Sequence, residues 1–293
     1  MNRCLDYMRE NRIIGKYGIK YLDNRLKGIC LNDLVMLGAR SGAGKSTIAN
    51  MIALANVENK VALFSLENFK DDDFVKECFY RYVKRVRRPI NIIDFMCGNE
   101  ALDLKILEEI EQEVEDAYKN VYTVCRKDGY NIKNLEQDVE DAVNKGIQII
   151  ILDHIDYLDK INATTNDVVH ISEISKTIRK LQNKYRCAFI CISHLRKSNN
   201  KNPIIIPNMD EFIGSSNKVK ESTVVITFAP DDKNNEEFLN NNKKSTFCCV
   251  RKSRRSGMDN RAARLYFDKI TGRYLEEYED LKVNYSGTEV ENI

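Results

Sequence analysis

The chain has 293 residues, a formal net charge of +2 and 31% charged residues. This length is enough for one large α/β domain with a substantial core. The near-neutral charge excludes a protein that is basic over its whole surface, so any cationic surface must be local. Nine cysteines without Cys-x-x-Cys spacing, and no apolar run of transmembrane or signal-peptide type, favour a reduced cytoplasmic protein with no structural zinc site.

Apolar runs that are typical of buried strands alternate with helical patterns along the chain. This alternation predicts an α/β fold with a mostly parallel twisted sheet, helices on both faces and a C-terminal β-hairpin extension. The predicted strands are Leu34–Leu37, Val61–Phe64, Val121–Val124, Ile147–Leu152, Ala188–Ile192, Val224–Phe228, Thr246–Val250 and Arg264–Phe267. The predicted helices lie at Thr47–Asn56, Phe74–Val86, Leu102–Tyr118, Leu135–Val143 and in the stretch after His170.

Composition along the chain predicts three parts. Residues 1–14 form an arm with a short amphipathic helix, residues 15–278 form the main domain, and residues 279–293 form a flexible tail. Two polar segments, Asn199–Asn202 and Asp231–Lys244, are predicted to be loops.

A phosphate-binding loop follows the first strong strand. Residues 38–47 read Gly-Ala-Arg-Ser-Gly-Ala-Gly-Lys-Ser-Thr, with Ala39 in place of the usual first glycine. The glycines allow the backbone N–H groups to turn toward phosphate oxygens, Lys45 can reach the β- and γ-phosphates, and the Ser46 hydroxyl can ligate Mg²⁺. ATP and Mg²⁺ are therefore the predicted cofactors. The expected nucleotide contacts are Ala39, Arg40, Ser41, Gly42, Ala43, Gly44, Lys45, Ser46 and Thr47.

Three further strand ends carry polar side chains that suit phosphate chemistry. Asp153 ends the Ile-rich strand and can hold Mg²⁺ through water beside Ser46. Glu67 follows the second strand, where it could activate water or simply begin the next helix. His194 ends the fifth strand, where it could sense the γ-phosphate or be an ordinary loop residue.

A cationic segment, Arg251–Gly257, follows the Thr246–Val250 strand. It could be a solvated basic turn, or it could supply an arginine finger that neutralises charge on the transferred phosphoryl group. The local sequence does not decide whether such a finger would serve its own site or that of a neighbour.

The five motifs in this order resemble the RecA-like P-loop ATPase domain of DnaB-type replicative hexameric DNA helicases. The resemblance covers roughly Gly18 to Glu276, and Asp153-His154 and Ser193-His194-Leu195 are closest to the branch of phage primase–helicases and mitochondrial Twinkle. Ser65-Leu66-Glu67 is similar to the motif that carries the family's catalytic glutamate. The resemblance implies catalytic roles for Glu67, Lys45, His194, Arg254 and Lys252. The pair Lys252-x-Arg254 would enter the site of the adjacent subunit.

The resemblance also implies partners. The family threads single-stranded DNA through a ring, and the candidate DNA-binding residues here are Arg196, Lys197, Lys201, Lys218 and Lys220. We therefore expect a homo-oligomer, such as a hexameric ring with shared ATP sites, in the cytoplasm of a bacterium or phage-infected cell. A primase or a helicase loader is a candidate partner, and no membrane association is expected.

Three other functions stay open at this stage. The first is a RecA-like DNA-dependent ATPase that does not unwind DNA, such as a recombinase-type protein or a helicase loader. The second is a small-molecule kinase, which normally carries an Arg-rich lid rather than a downstream Lys-x-Arg. The third is a nucleotide-gated interaction protein, although the intact Lys45, Glu67 and Asp153 argue against lost hydrolysis.

Overall fold

The computed structural model describes residues 2–68, 71–125, 127–161, 164, 166–196, 205–212, 215–231, 243–257, 260–284 and 287–290. The strands are β1 (Ile13–Gly15), β2 (Ile29–Cys30), β3 (Leu34–Ala39), β4 (Val61–Ser65), β5 (Val121–Cys125), β6 (Ile149–Asp153), β7 (Ala188–His194), β8 (Val224–Pro230), β9 (Lys243–Ser253), β10 (Arg261–Asp268) and β11 (Arg273–Leu281). The helices are α1 (Arg3–Glu10), α2 (Lys20–Leu26), α3 (Lys45–Leu54), α4 (Asp72–Val86), α5 (Ile92–Met96), α6 (Leu104–Tyr118), α7 (Ile132–Asn144), α8 (Asp167–Tyr185) and α9 (Ser215–Glu221).

A nine-stranded sheet organises the described part of the chain, in the order β11-β10-β9-β8-β3-β7-β6-β4-β5. The strands from β8 to β5 in this order are parallel, whereas β9, β10 and β11 continue the sheet as an antiparallel meander. The predicted α/β class with a C-terminal antiparallel extension is therefore confirmed.

Helices bury both faces of the parallel part, which explains why its strands read as continuous apolar runs rather than as alternating ones. In β6, Ile149 and Ile151 pack in the core layer that contains α3, whereas Ile150 and Leu152 pack in the layer that contains α7 and α8. A smaller cluster joins α4, α5 and α6.

Two expectations about the ends of the chain have different outcomes. The predicted amphipathic arm helix is present as α1, and none of its residues is buried. The flexible tail from 279 onward is wrong for its described part, because β11 runs to Leu281 and Val283 forms a β-bridge with Val290. The apolar side chains of this segment pack against Ile206 and Phe247, and that contact orders it.

The edge strand β11 also lies outside the sequence prediction. Its residues are largely charged and only partly buried, so they lack the apolar run by which the other strands are recognised. Most of the two predicted loops, residues 197–204 and 232–242, falls outside the described residues. All nine cysteines are free thiols. In the parts of the chain with described helices, none is long and apolar enough to cross a membrane.

The contact between Gly38 and Phe212 limits the size of the residue in the middle of the sheet. A Cβ atom at Gly38 would lie 2.5 Å from ring carbon Cζ of Phe212 and 2.5 Å from Cδ2 of Leu195. We expect Gly38→Ala to lower the free energy of unfolding by about 1–3 kcal/mol through overpacking, measured by urea unfolding. Gly38→Ala combined with Phe212→Leu should recover part of this loss. Purely additive effects of the two changes would contradict a direct clash.

Candidate nucleotide site

The phosphate-binding loop connects β3 to α3. Gly42 and Gly44 have φ angles of 81° and 78°, in the left-handed region where glycine is favoured. Helix α3 begins at Lys45, and its first turn contains no acidic residue. The N-terminal N–H groups, the helix dipole and the Lys45 ammonium therefore combine into an anion site.

Side chains from two other elements hold this loop in place. The Arg40 guanidinium donates to the Glu211 carboxylate at 2.8 Å, and the backbone N–H of Arg40 donates to the carbonyl of Phe228 at 3.2 Å. The Lys244 ammonium, at the start of β9, donates to the carbonyl of Gly42. The loop is thus tied both to the segment before α9 and to the antiparallel extension.

Strand register brings the other predicted groups to the same edge of the sheet. Ala39 lies opposite His194 in the β3–β7 pair, and Ser65 lies opposite Asp153 in the β4–β6 pair. Parallel strands end at one edge, so Glu67, which follows β4 by two residues, joins them there. The structure therefore places the candidate metal ligand, the candidate water-activating group and the candidate γ-phosphate sensor beside the phosphate loop.

Asp153 is a buried carboxylate without a close hydrogen bond. It is 1% exposed, and neither of its oxygens makes a hydrogen bond within the described residues. Burial raises its pKa to about 6, although the nearby Ser46 hydroxyl and His154 lower it. An unsatisfied buried carboxylate beside a hydroxyl suits a hard cation or its water shell, so Ser46 and Asp153 fit Mg²⁺.

Glu67, His154 and His194 form a cluster whose ligand-type atoms all lie within 4.8 Å of one another. His154 is completely buried, with Nε2 3.3 Å from Oε2 of Glu67 and Nδ1 3.5 Å from Oδ2 of Asp156. Its ring packs edge-on against His194, with centroids 4.2 Å apart. Burial, followed by the charges of His154 and Lys45, lowers the pKa of His194. Its imidazole is therefore neutral at pH 7 until an anion arrives.

His154 is the central member of this cluster that the sequence does not identify as a site residue. The Asp-His pair after β6 is visible in the sequence, but only the folded structure shows the ring between two carboxylates.

Lys218, a predicted DNA-binding residue, is instead inside the protein. Its side chain is 1% exposed, and its ammonium pairs with Asp156 and donates to the Ser193 hydroxyl at 2.8 Å. Burial alone would raise the pKa of Asp156, but the neighbouring His154, Lys218 and the backbone N–H of His194 hold it well below its usual value. The prediction of a solvent-facing cation is wrong for this conformation because α9 turns Lys218 toward a buried carboxylate.

The other predicted DNA contacts divide into two groups. Arg196 and Lys220 are exposed, which is compatible with a role in binding phosphates. Lys197 and Lys201 lie outside the described residues. The backbone N–H of Arg196 donates to the carbonyl of Glu211 at 2.7 Å, and this bond links the start of that loop to the partner of Arg40.

Lys252 and Arg254 lie at the opposite edge of the sheet from the phosphate loop. Ser253 pairs with Val224 at the start of β8, and the backbone N–H of Arg254 donates to the carbonyl of Thr223. The paired part of β3 and β8 between this edge and Ala39 is five residues long, or about 16 Å at the usual rise of a strand. An Arg254 side chain therefore extends away from its own nucleotide site.

An aromatic cleft opens directly beside the phosphate loop. Tyr80, Phe267 and Tyr274 line it together with Gly44 and Thr47. The ring centroids of Phe267 and Tyr274 are 5.4 Å apart, and those of Tyr80 and Phe267 are 6.5 Å apart. The sequence alone does not single out these aromatic residues, because they come from α4, β10 and β11, which are distant along the chain.

Comparisons with known proteins agree with this geometry. The family model of the DnaB-like helicase C-terminal domain matches residues 16–276. No curated protein sequence matches the chain.

Solved structures share the fold at low sequence identity. The chain is similar to the solved ATPase domain of a DnaB-like helicase, with a TM-score of 0.72, 20% identity and coverage of 89% of this chain and 92% of that one. It is equally similar to a DnaB-like replicative helicase described with its interactions with primase, at TM-score 0.72 and 20% identity, covering 88% of this chain and 62% of that one. A KaiC-like protein, PH0186 from Pyrococcus horikoshii OT3, follows at TM-score 0.59 and 14% identity, with coverage of 93% and 100%. These likenesses show a RecA-like ATPase fold.

The buried charge of Asp153 should cost the nucleotide-free protein stability. Its folded pKa of about 6 lies above the ordinary value of 3.8, so the stability contributed by the neutral form is complete below pH 3.8 and is lost as the pH rises through 6. We expect Asp153→Asn to raise the free energy of unfolding at pH 8 by about 1–3 kcal/mol, measured by urea unfolding in EDTA. The gain should shrink at pH 5, and a gain independent of pH would contradict the assignment. The same variant should bind Mg²⁺–nucleotide more weakly.

Proposed function

The chain belongs to the DnaB-like helicase C-terminal domain family, and we propose that it is an ATP-hydrolysing DNA helicase or translocase that acts on single-stranded DNA in replication. One observation carries the proposal. The four groups needed for hydrolysis meet at one edge of the sheet, whereas the cation expected to complete the reaction lies at the other edge.

Each residue at the first edge has a role that its surroundings support. The phosphate loop and Lys45 bind the triphosphate, and Ser46 and Asp153 would hold Mg²⁺, which neutralises phosphate charge. Glu67 is exposed at this edge and can take a proton from the attacking water. His194, neutral beforehand, gains a hydrogen-bond partner when a γ-phosphate arrives.

The aromatic cleft suits the base of the nucleotide. It adjoins the phosphate loop, and Tyr80 and Tyr274 offer flat apolar surfaces for stacking a purine. These residues would set how strongly the nucleotide is held without taking part in the chemistry.

The position of Arg254 supports a site shared between subunits. A cation at the far edge can meet a triphosphate only on a neighbouring copy, so hydrolysis would require an oligomer such as a closed ring. Exposed cations such as Arg196 and Lys220 would track the DNA backbone without reading its sequence. A primase or a helicase loader is the class of protein partner that we propose.

Complementation between two inactive variants tests the shared site. Glu67→Gln removes the group that activates water, and Arg254→Ala removes the donated cation, so each variant alone should lose more than about 100-fold in basal ATP turnover. A mixture of the two should regain part of the activity, because some interfaces join an intact Glu67 to an intact Arg254. Steady-state ADP formation without DNA is the measurement.

A third variant provides the control for this experiment. Lys45→Ala should abolish turnover and should also restore activity when mixed with Arg254→Ala, because its own Arg254 is intact. Two inactive variants that remain inactive in every mixture would contradict a site built from two subunits.

Strand separation distinguishes a helicase from an ATPase that only binds DNA. We expect single-stranded DNA to stimulate turnover of the wild-type chain, and a forked duplex with a fluorophore–quencher pair to be opened in an ATP-dependent manner. The Lys45→Ala variant is the matched control and should open none. DNA-stimulated turnover without opening would favour the recombinase-type or loader function instead.

A further inference from the structure

The buried pair of Asp156 and Lys218 lies between the two edges of the sheet that the proposed function needs. Asp156 is in the turn after β6, and Lys218 is in the middle of α9. A charged pair of this kind is costly to bury, since both ions lose water, and replacing it with neutral groups is often harmless to stability. Stability alone therefore explains the pair poorly, and its contacts point to a role in positioning.

On one side, the pair holds the strand end that carries the candidate γ-phosphate sensor. Oδ2 of Asp156 accepts from the backbone N–H of His194 at 2.8 Å and from the Ser193 hydroxyl at 2.9 Å. The same carboxylate lies 3.5 Å from Nδ1 of His154, whose other nitrogen faces Glu67. Asp156 thus contacts the backbone or the neighbours of both residues expected to act on the γ-phosphate.

On the other side, the pair holds the helix that anchors the outgoing cations. The Lys218 ammonium contacts Asp156 and Ser193, and the Lys218 carbonyl accepts from the Ser222 hydroxyl at the end of α9. The next two carbonyls of the helix accept from the cationic segment. Lys252 donates to Val219 at 2.6 Å, and Arg254 donates to Lys220 at 2.7 Å.

We propose that Lys218 and Asp156 are positioning residues that fix His194 relative to α9, and through α9 fix the Lys252 and Arg254 side chains that a chain presents to the next subunit. This rests on the proposed function, because it needs a cation donated between subunits. A shift of the β7 end upon nucleotide binding would be passed through one ion pair to a helix whose last carbonyls hold the donated cations. The contacts form a continuous chain of hydrogen bonds and ion pairs from one edge to the other.

A double variant tests this without leaving a buried unpaired charge. Lys218→Met with Asp156→Asn keeps the side-chain sizes and an acceptor for the N–H of His194, but it removes both charges and the link to α9. Lys176→Met, an exposed lysine on α8, is the matched control for the loss of one positive charge. Thermal unfolding and binding of a fluorescent ATP analogue should be close to wild type for both proteins.

Mixing with an excess of an inactive variant then separates the two sides of the link. Among excess Glu67→Gln subunits, the double variant is tested for its own site, because its neighbours supply only an intact cation. Among excess Arg254→Ala subunits, it is tested for the cation that it donates, because its neighbours supply only an intact site. We expect basal turnover in both mixtures to be about five times lower or more than in the same mixtures made with wild type. In both mixtures, Lys176→Met should match wild type.

The outcomes are distinct. If the double variant donates its cation to Arg254→Ala subunits as well as wild type does, the positioning role is overturned. If only its own site is impaired, the link to α9 is overturned as well. If the reference mixture of Glu67→Gln and Arg254→Ala shows no complementation, the shared site of the proposed function fails, and the positioning of a donated cation fails with it.

Discussion

Hydrogen-bonded register between parallel strands is the constraint on which the site depends. Four neighbouring strands end at the same level, so the residues just after β3, β4, β6 and β7 must meet around one point in space. Each of those endings is polar, and each preceding strand is apolar and buried. The fold thereby concentrates a lysine, a hydroxyl, two carboxylates and two imidazoles where a triphosphate can reach them, although they come from four separate stretches of the sequence.

The same constraint explains why much of the structure is predictable from the sequence. A strand that is buried on both faces is apolar throughout, and the glycines and Lys-Ser-Thr of the loop are needed by its conformation and charge, so both leave an unmistakable pattern. The edge strand β11 leaves no such pattern because its side chains face water. Lys218 misleads for the opposite reason, since a lysine in a polar stretch reads as solvated unless the position of Asp156 is known. The aromatic cleft and His154 depend on contacts between distant segments, which no local pattern encodes.

Electrostatic strain at the nucleotide edge is consistent with a site prepared for a ligand. Asp153 is buried with a raised pKa and no hydrogen-bonded partner among the described residues, and the imidazole of His194 is kept neutral by burial and nearby positive charge. Deeper in the same region, Asp156 is surrounded by donors and is held ionised. The two aspartates, three residues apart, therefore differ in kind. One has unsatisfied oxygens at the open edge, whereas the other is a fully occupied acceptor inside the fold.

The placement of Lys45 and Arg254 at opposite edges has a consequence for counting. In a closed ring of n subunits every triphosphate has a neighbour's cation, and all n sites are complete. In an open row of n subunits one end holds a pocket that no cation reaches, and the other end holds a cation with nothing to meet, which leaves n − 1. Specific activity per subunit would therefore rise with length in a filament and stay constant once a ring has closed, so the arithmetic of assembly is already written into the two ends of the sheet.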